Sequence, residues 1–276
     1  MSIDRLKQVD DWLHFITKKL TGVVERPRRE AFLLIMALLK KDELWMMTNG
    51  NHVIKDAKKL LNWTERRAND EPLEYITNRV SFYSQEFYIE AGALIPRPET
   101  ELLIDAVLEL CDKEAEVTIV EVGVGSGIIS ILLAQHLPKA RFIAVDISPD
   151  ALKVAAINIK AYDLQTRIEL RQSNLLSSVD EKIDLLVSNP PYIAKNVPLE
   201  RNLDYEPDLA LFGGSIGDEI IQRLLDETIK REIPYFACEM GYDQKSKVTN
   251  YLDNQYKSLD FYEDLAGLDR GFVVKI

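Results

Sequence analysis

Apolar residues recur at three- and four-residue steps along the first part of the chain: Leu6, Val9, Trp12, Leu13 and Ile16, then Ala31, Leu34, Ile35 and Leu38. That spacing gathers them on one face of a helix. Asn49-Gly50 and Asn69-Asp70-Glu71-Pro72 supply turns and no alternating pattern intervenes, so residues 1–78 predict a bundle of four or five helices. Within residues 75–90 the pattern shifts to aromatic and β-branched side chains, with Phe82-Tyr83 and Phe87-Tyr88-Ile89, and predicts a hairpin. Residues 79–92 are therefore expected to link two domains. Past them, Ile95-Pro96-Arg97-Pro98-Glu99-Thr100-Glu101 carries two spaced prolines, which force an extended path before a helix over residues 101–110 with Thr100 as its N-cap. Such a strip is either the wall or lid of a pocket or a linker that starts a helix, and spacing alone does not separate the two.

From residue 93 onward the pattern alternates. Apolar runs at residues 117–122, 141–145, 168–172, 183–187 and 235–239 read as strands, with helical segments at 128–137 and 149–162 between them. Residues 272–276 read as a last strand, paired with the segment around residues 260–262. Strand and helix in alternation predict an α/β fold with a doubly wound parallel sheet, a Rossmann-like domain over residues 93–276. Ligands of such sheets bind beyond the strand C-termini.

Candidate chemistry sits at those ends. Gly123, Gly125 and Gly127, with Val124 and Ser126 between them, make a turn that lets backbone approach a ligand. Asp146 follows at the end of the next strand, where it suits ribose hydroxyls. The usual dinucleotide fingerprint has two residues between its second and third glycines, whereas this turn has one, which favours S-adenosylmethionine. Glu121, at its strand end, suits a sulfonium or the amino group of a methionine moiety. After the strand at 183–187 comes Asn189-Pro190-Pro191-Tyr192. Two prolines stiffen this turn and present carbonyl acceptors, Asn189 adds a side-chain carbonyl, and Tyr192 offers a flat face, a set that suits a planar NH2 group.

A formal net charge of −11 makes the mean field repulsive to a phosphate backbone and counts against a nucleic-acid partner. The basic segments Arg26-Pro27-Arg28-Arg29 and residues 55–59 read better as solvated helix surface. The longest apolar run, residues 31–39, is too short to span a bilayer, and Met1-Ser2-Ile3-Asp4-Arg5 lacks a signal-peptide core, so a cytoplasmic protein is expected. Two cysteines, Cys111 and Cys238, give neither a disulfide framework nor metal-ligand spacing, and no metal is expected. The histidines, His14, His52 and His136, all fall in predicted helical segments.

With these pieces in order, the whole chain resembles the PrmC/HemK family of protein-glutamine methyltransferases. The resemblance is carried by Pro72-Leu73-Glu74-Tyr75, Phe82-Tyr83, the Ile95 to Glu101 motif, the glycine turn, Asn189-Pro190-Pro191-Tyr192-Ile193, Tyr205-Glu206-Pro207, Ala210-Leu211-Phe212-Gly213-Gly214 and Asp264-Leu265-Ala266-Gly267. It implies an S-adenosylmethionine-dependent enzyme that methylates the glutamine of the Gly-Gly-Gln motif of class I peptide chain release factors; separately, a monomer is expected. The glycine turn, Glu121, Asp146, Asn174 and Asn189 would then hold the cofactor. Asn189, Pro190, Pro191 and Tyr192 would hold the glutamine, with Asn189 and Pro190 catalytic, and the N-terminal helices would dock the release factor. Val124, Glu121 and Asn174 stand where the family often has Thr, Asp and Asp. Ser215-Ile216-Gly217-Asp218 also departs from the family pattern and receives no role. The competing expectation is an adenine amino-group methyltransferase acting on DNA or RNA, since the same acceptor turn can hold a flipped base.

Overall fold

The computed structural model describes residues 6–199 and 201–276, which divide into two compact units. The first holds the described residues up to Arg79 together with Arg201–Tyr205. Its helices are α1 (Val9–Leu20), α2 (Pro27–Leu39), α3 (Glu43–Thr48), α4 (Ala57–Ala68) and α5 (Leu73–Thr77). Their starts are set locally: Gln8 and Asp11 form a capping box on α1, Pro27 opens α2, and the Asp42 and Asp56 carboxylates accept the Trp45 and Lys59 N–H groups at 2.8 and 3.3 Å. The apolar stripes close on a core of Trp12, Ile16, Leu20, Ala31, Leu34, Ile35 and Leu60. The Arg67 guanidinium forks onto Glu30, tying α4 to α2. A single turn of 3-10 helix at Arg201–Tyr205 joins this unit from far along the chain, the Tyr205 hydroxyl donating to the Asn69 carbonyl at 2.6 Å.

Two local expectations are corrected here. Tyr75 lies in α5 and not in the hairpin, which is shorter than expected, β1 (Val80–Phe82) with β2 (Gln85–Phe87). His52 lies outside the helices, in the connection between α3 and α4.

The second unit holds the hairpin and everything after it except the segment at Arg201–Tyr205. In chain order it comprises α6 (Thr100–Leu110), β3 (Thr118–Val122), α7 (Ile128–His136), β4 (Arg141–Asp146), α8 (Pro149–Ala161), β5 (Ile168–Gln172), β6 (Leu185–Ser188), β7 (Ile193–Ala194), α9 (Asp208–Leu211), β8 (Phe212–Gly214), α10 (Glu219–Lys230), β9 (Tyr235–Glu239), α11 (Lys245–Leu252), β10 (Ser258–Glu263) and β11 (Asp269–Lys275). Seven strands form one sheet in the order β10-β11-β9-β6-β3-β4-β5, and β7 pairs with β8 apart from it. The strands from β9 across to β5 are parallel, while β11 runs antiparallel to β9 and β10 to β11. Strands buried on both faces, such as β6 with Leu185, Leu186 and Val187, need the continuous apolar runs seen in the sequence. The order reverses beside β3, where β4 leaves to one side and β6 joins from the other, and this is where a crevice opens in such sheets.

The α/β fold expected from the alternation is the one observed. The strand over Ile168–Gln172, the strand over Tyr235–Glu239 and the terminal antiparallel pair lie where the sequence put them.

All three tryptophans, Trp12, Trp45 and Trp63, belong to the helical unit, so tryptophan fluorescence, excited selectively over the tyrosines, reports on that unit alone. Leu34→Ala should weaken the fluorescence-detected unfolding transition by about 2–5 kcal/mol, measured by urea titration; an unchanged midpoint would mean that Leu34 is not the core residue its burial indicates.

Candidate active site

A cavity of about 360 Å³ lies at the C-terminal edge of the parallel strands. Register positions its two sides. Val122, the last residue of β3, pairs with Ser188, the last of β6, and the Ser188 hydroxyl donates to the Val122 carbonyl at 2.7 Å. The residues that follow, Gly123 and Asn189, therefore leave the sheet side by side.

The glycine turn is held by its neighbours. The Gly123 and Val124 N–H groups both donate to the Val145 carbonyl, at 2.8 and 3.0 Å, and the Gly125 N–H donates to Asp146 Oδ2 at 3.0 Å. The buried Asn158 amide on α8 donates to the Ser126 carbonyl at 2.8 Å. Gly127 has φ of +83°, and a Cβ there would stand 3.3 Å from Ala155, so close packing on α8 and the left-handed backbone both require glycine. Asp146 also accepts the Ser148 N–H through Oδ1 at 2.9 Å, yet remains on the cavity wall. Burial holds its carboxyl above the ordinary range against those backbone donors.

Glu121 is the more strained acid. It is 1% exposed; one oxygen accepts the Ser130 N–H at 2.9 Å and the Ser130 hydroxyl, while Oε1 is buried without a partner. Burial pushes its pKa up to about 8 despite the two donors from Ser130.

At the other end stands the Asn-Pro-Pro turn. Asn189 Nδ2 donates to the Thr100 hydroxyl oxygen at 3.0 Å, and the Thr100 hydroxyl donates to Glu239 Oε2 at 2.7 Å. Among the described residues no donor reaches Asn189 Oδ1 or the Pro190 carbonyl. Glu239, at the end of β9, is 1% exposed, and burial pushes its pKa up to about 7 against the hydrogen bonds from Thr100 and Tyr192. Thr100 was expected as the cap of α6 and is instead its first residue, with its hydroxyl spent on these two partners and none left for a cap. The proline strip before it is a wall: Leu94 and Pro96 line the cavity. The strip is pinned by Glu206, which accepts the Ile95 N–H at 3.0 Å and the Arg97 guanidinium at 2.5 Å.

Of the residues singled out in the sequence, Glu121, Gly123, Val124, Gly125, Ser126, Asp146, Asn174, Asn189, Pro190 and Pro191 line this one cavity. Gly127 does not line it and packs instead against Ala155. Tyr192 is not among its lining residues: the half-buried ring packs against the sheet core and its hydroxyl donates to Glu239 Oε1 at 3.3 Å. The Asn174 side-chain oxygen accepts from Arg223 at 3.3 Å. Thr100 as a link, Glu239, Asn158 and Arg223 escaped the sequence reading. Glu239 carried a usable signal, an acid closing an apolar strand, much as Glu121 stands one residue before the end of β3. Among the described residues no cluster of His, Cys, Asp and Glu is arranged for a metal, and no helix is long and apolar enough to cross a membrane.

Comparison with known proteins gives consistent matches. The methyltransferase small domain family matches residues 98–202, and the PrmC N-terminal domain family matches residues 11–77. The chain is 36% identical over 279 residues to the release factor glutamine methyltransferase of Dictyoglomus turgidum, covering 98% of each protein. It is 34% identical to that of Clostridium acetobutylicum, covering 86% of this chain and 87% of the relative. Among solved structures, the N-terminal domain of human METTL16 in complex with SAH superposes with a TM-score of 0.52 at 15% identity, covering 82% of this chain and 85% of that one, a likeness of fold.

A carboxyl held above its ordinary value keeps a proton in the folded state that the unfolded chain has already released, so its contribution to stability falls as pH rises between the two values. For Glu121 that window runs from 4.5 to about 8. Glu121→Gln should therefore gain on the wild type across this window, by roughly 2–4 kcal/mol at its upper end whatever the offset at acid pH. Thermal midpoints measured against pH check it, and parallel curves would refute the assignment.

Proposed function

The chain belongs to the release factor glutamine methyltransferase family, and on that footing we propose that it transfers a methyl group from S-adenosylmethionine to the side-chain amide nitrogen of the glutamine in the Gly-Gly-Gln motif of class I peptide chain release factors. The observation that carries the reading is the fixed amide of Asn189. Its NH2 end is tied to Thr100, which leaves Oδ1 beside the Pro190 carbonyl as two acceptors with no protein donor among the described residues. A primary amide has two N–H bonds to give.

The residues present fit the methyl donor. The partnerless Glu121 oxygen is the acceptor that an ammonium at the methionine end requires, and the glycine turn leaves its backbone open to the cavity. Asp146 would take the ribose hydroxyls, and Asn174, with Leu175 and Ile147 on the same wall, would take the base. Val124 offers only an apolar contact where a Thr would add a hydroxyl. What S-adenosylmethionine supplies when bound is an electrophilic methyl carbon on a sulfonium.

An amide nitrogen is a weak nucleophile because its lone pair is delocalised into the carbonyl, so the work of this chain is to hold it still and aimed. Asn189 Oδ1 and the Pro190 carbonyl accept its two N–H bonds, and Pro190 and Pro191 keep that pair of acceptors rigid. Orientation of this kind is worth up to roughly 7–11 kcal/mol. No side-chain base is needed, since an alkylated amide nitrogen is strongly acidic and gives its proton to water; none of the three histidines lines the cavity. Tyr192 ties the turn to Glu239 through its hydroxyl and offers its ring to the substrate amide. The helical domain, residues 1–78, docks the release factor. The protein acts as a cytoplasmic monomer, and the net charge of −11 counts against a nucleic-acid partner.

Mass spectrometry of a release factor after incubation with the protein and methyl donor should find one methyl on the Gly-Gly-Gln glutamine. Methyl appearing on duplex DNA or RNA instead would overturn the reading. Asn189→Ala should lower kcat about 10- to 150-fold, the loss expected for one such acceptor, with a far smaller effect on cofactor affinity. Asp146→Ala should instead weaken cofactor binding by a similar factor, read by calorimetry.

A further inference from the structure

We propose that Glu239 is a positioning residue for this reaction: through the Thr100 hydroxyl it decides which end of the Asn189 amide faces the cavity. The inference rests on the glutamine-methylating reading above and deepens it.

The two ends of an amide are nearly equal in size, so packing does not choose between them; hydrogen-bond polarity does. An ionised carboxylate only accepts. With Glu239 Oε2 accepting the Thr100 hydroxyl proton at 2.7 Å, Thr100 Oγ1 has only lone pairs left for Asn189, and it accepts Nδ2 at 3.0 Å. The NH2 end is thereby drawn inward and Oδ1 is left to face the substrate. Protonation of Glu239 reverses the chain. A carboxyl O–H donates to Thr100 Oγ1, the Thr100 proton is released to donate to Asn189 Oδ1, and the NH2 end then meets the NH2 of the substrate, donor against donor.

The groups facing Glu239 explain why this switch falls in the neutral range. Glu99 at the start of α6 and burial disfavour the charge; Arg270 on β11 favours it, together with the hydroxyl donors of Thr100 and Tyr192. Arg270 is itself shared with Glu99 at 3.5 Å. Tyr262 on β10 and the neighbouring Cys238 complete the surroundings, and both thiol and phenol stay neutral because burial raises them well above their ordinary values. A carboxyl pushed up to about 7 places the change between the two settings near neutrality, with the setting seen in the structure held on the alkaline side.

Two readouts test the relay, one of them independent of turnover. In the cofactor-free protein, the side-chain 15NH2 resonance of Asn189 should shift with pH around neutrality in the wild type and in Thr100→Ser, which keeps the hydroxyl, and should be flat in Thr100→Val. With saturating methyl donor and a Gly-Gly-Gln substrate, kcat should fall below neutrality in the wild type. Thr100→Val should lose about 10- to 150-fold in kcat together with that acid limb, Thr100→Ser should restore both, and cofactor affinity should hold throughout. A wild-type resonance that ignores pH, one that titrates equally in Thr100→Val, or wild-type kcat in Thr100→Val overturns the relay. A titrating resonance in a protein that leaves Gly-Gly-Gln unmethylated supports the relay and removes the proposed substrate instead.

Discussion

The parallel pairing of β3 with β6 is the constraint on which the site depends. Because Val122 and Ser188 are partners and both end their strands, the glycine turn and the Asn-Pro-Pro turn must leave the sheet at adjacent points of one edge. A slip of one residue in β3 would turn Glu121 to the opposite face, and a slip in either strand would separate the ligand-facing backbone from the paired acceptors. The buried residues Ile119, Val120 and Val122 of β3 and Leu185, Leu186 and Val187 of β6 hold the two strands in the core whose pairing aligns the chemistry.

The same edge concentrates buried acids. Glu121 closes onto β3 and Glu239 ends β9, each nearly inaccessible and each held above the ordinary carboxylate range. A fold selected only for stability has little reason to bury two carboxyls without cationic partners of their own, and Glu121 even leaves one oxygen unpaired. Glu121 lines the cavity with one oxygen unpaired, as a group that a ligand would engage, whereas Glu239 reaches the cavity only through the Thr100 hydroxyl.

Much of this was legible from residue order. The run from Ile168 to Gln172 and the run from Tyr235 to Glu239 carry strand residues bounded by breakers, and the glycine turn and Asn-Pro-Pro turn follow their strands as the motif logic requires. What was not legible belongs to contacts between distant segments. Thr100 looks like a cap because capping is a local preference; Glu239 and Asn189, 139 and 89 residues away, claim its hydroxyl instead. The Tyr192 hydroxyl looks free because a motif says nothing of the Glu239 carboxyl that claims it. The β7 and β8 pair, two and three residues long, is too short to leave a pattern. His52 fell between two helices for the same reason that boundaries are hard to read, since a short α3 ends in a turn with no strong breaker beyond Gly50.

The visit that Arg201–Tyr205 pays to the helical unit has a topological corollary. The chain crosses between its two units three times rather than once, and the last crossing comes immediately before Glu206, the acid that pins the proline strip. No single cut therefore yields both halves intact. A fragment starting at Val80 would carry an orphaned turn whose Tyr205 hydroxyl has lost the Asn69 carbonyl, directly adjoining the anchor of its own cavity wall.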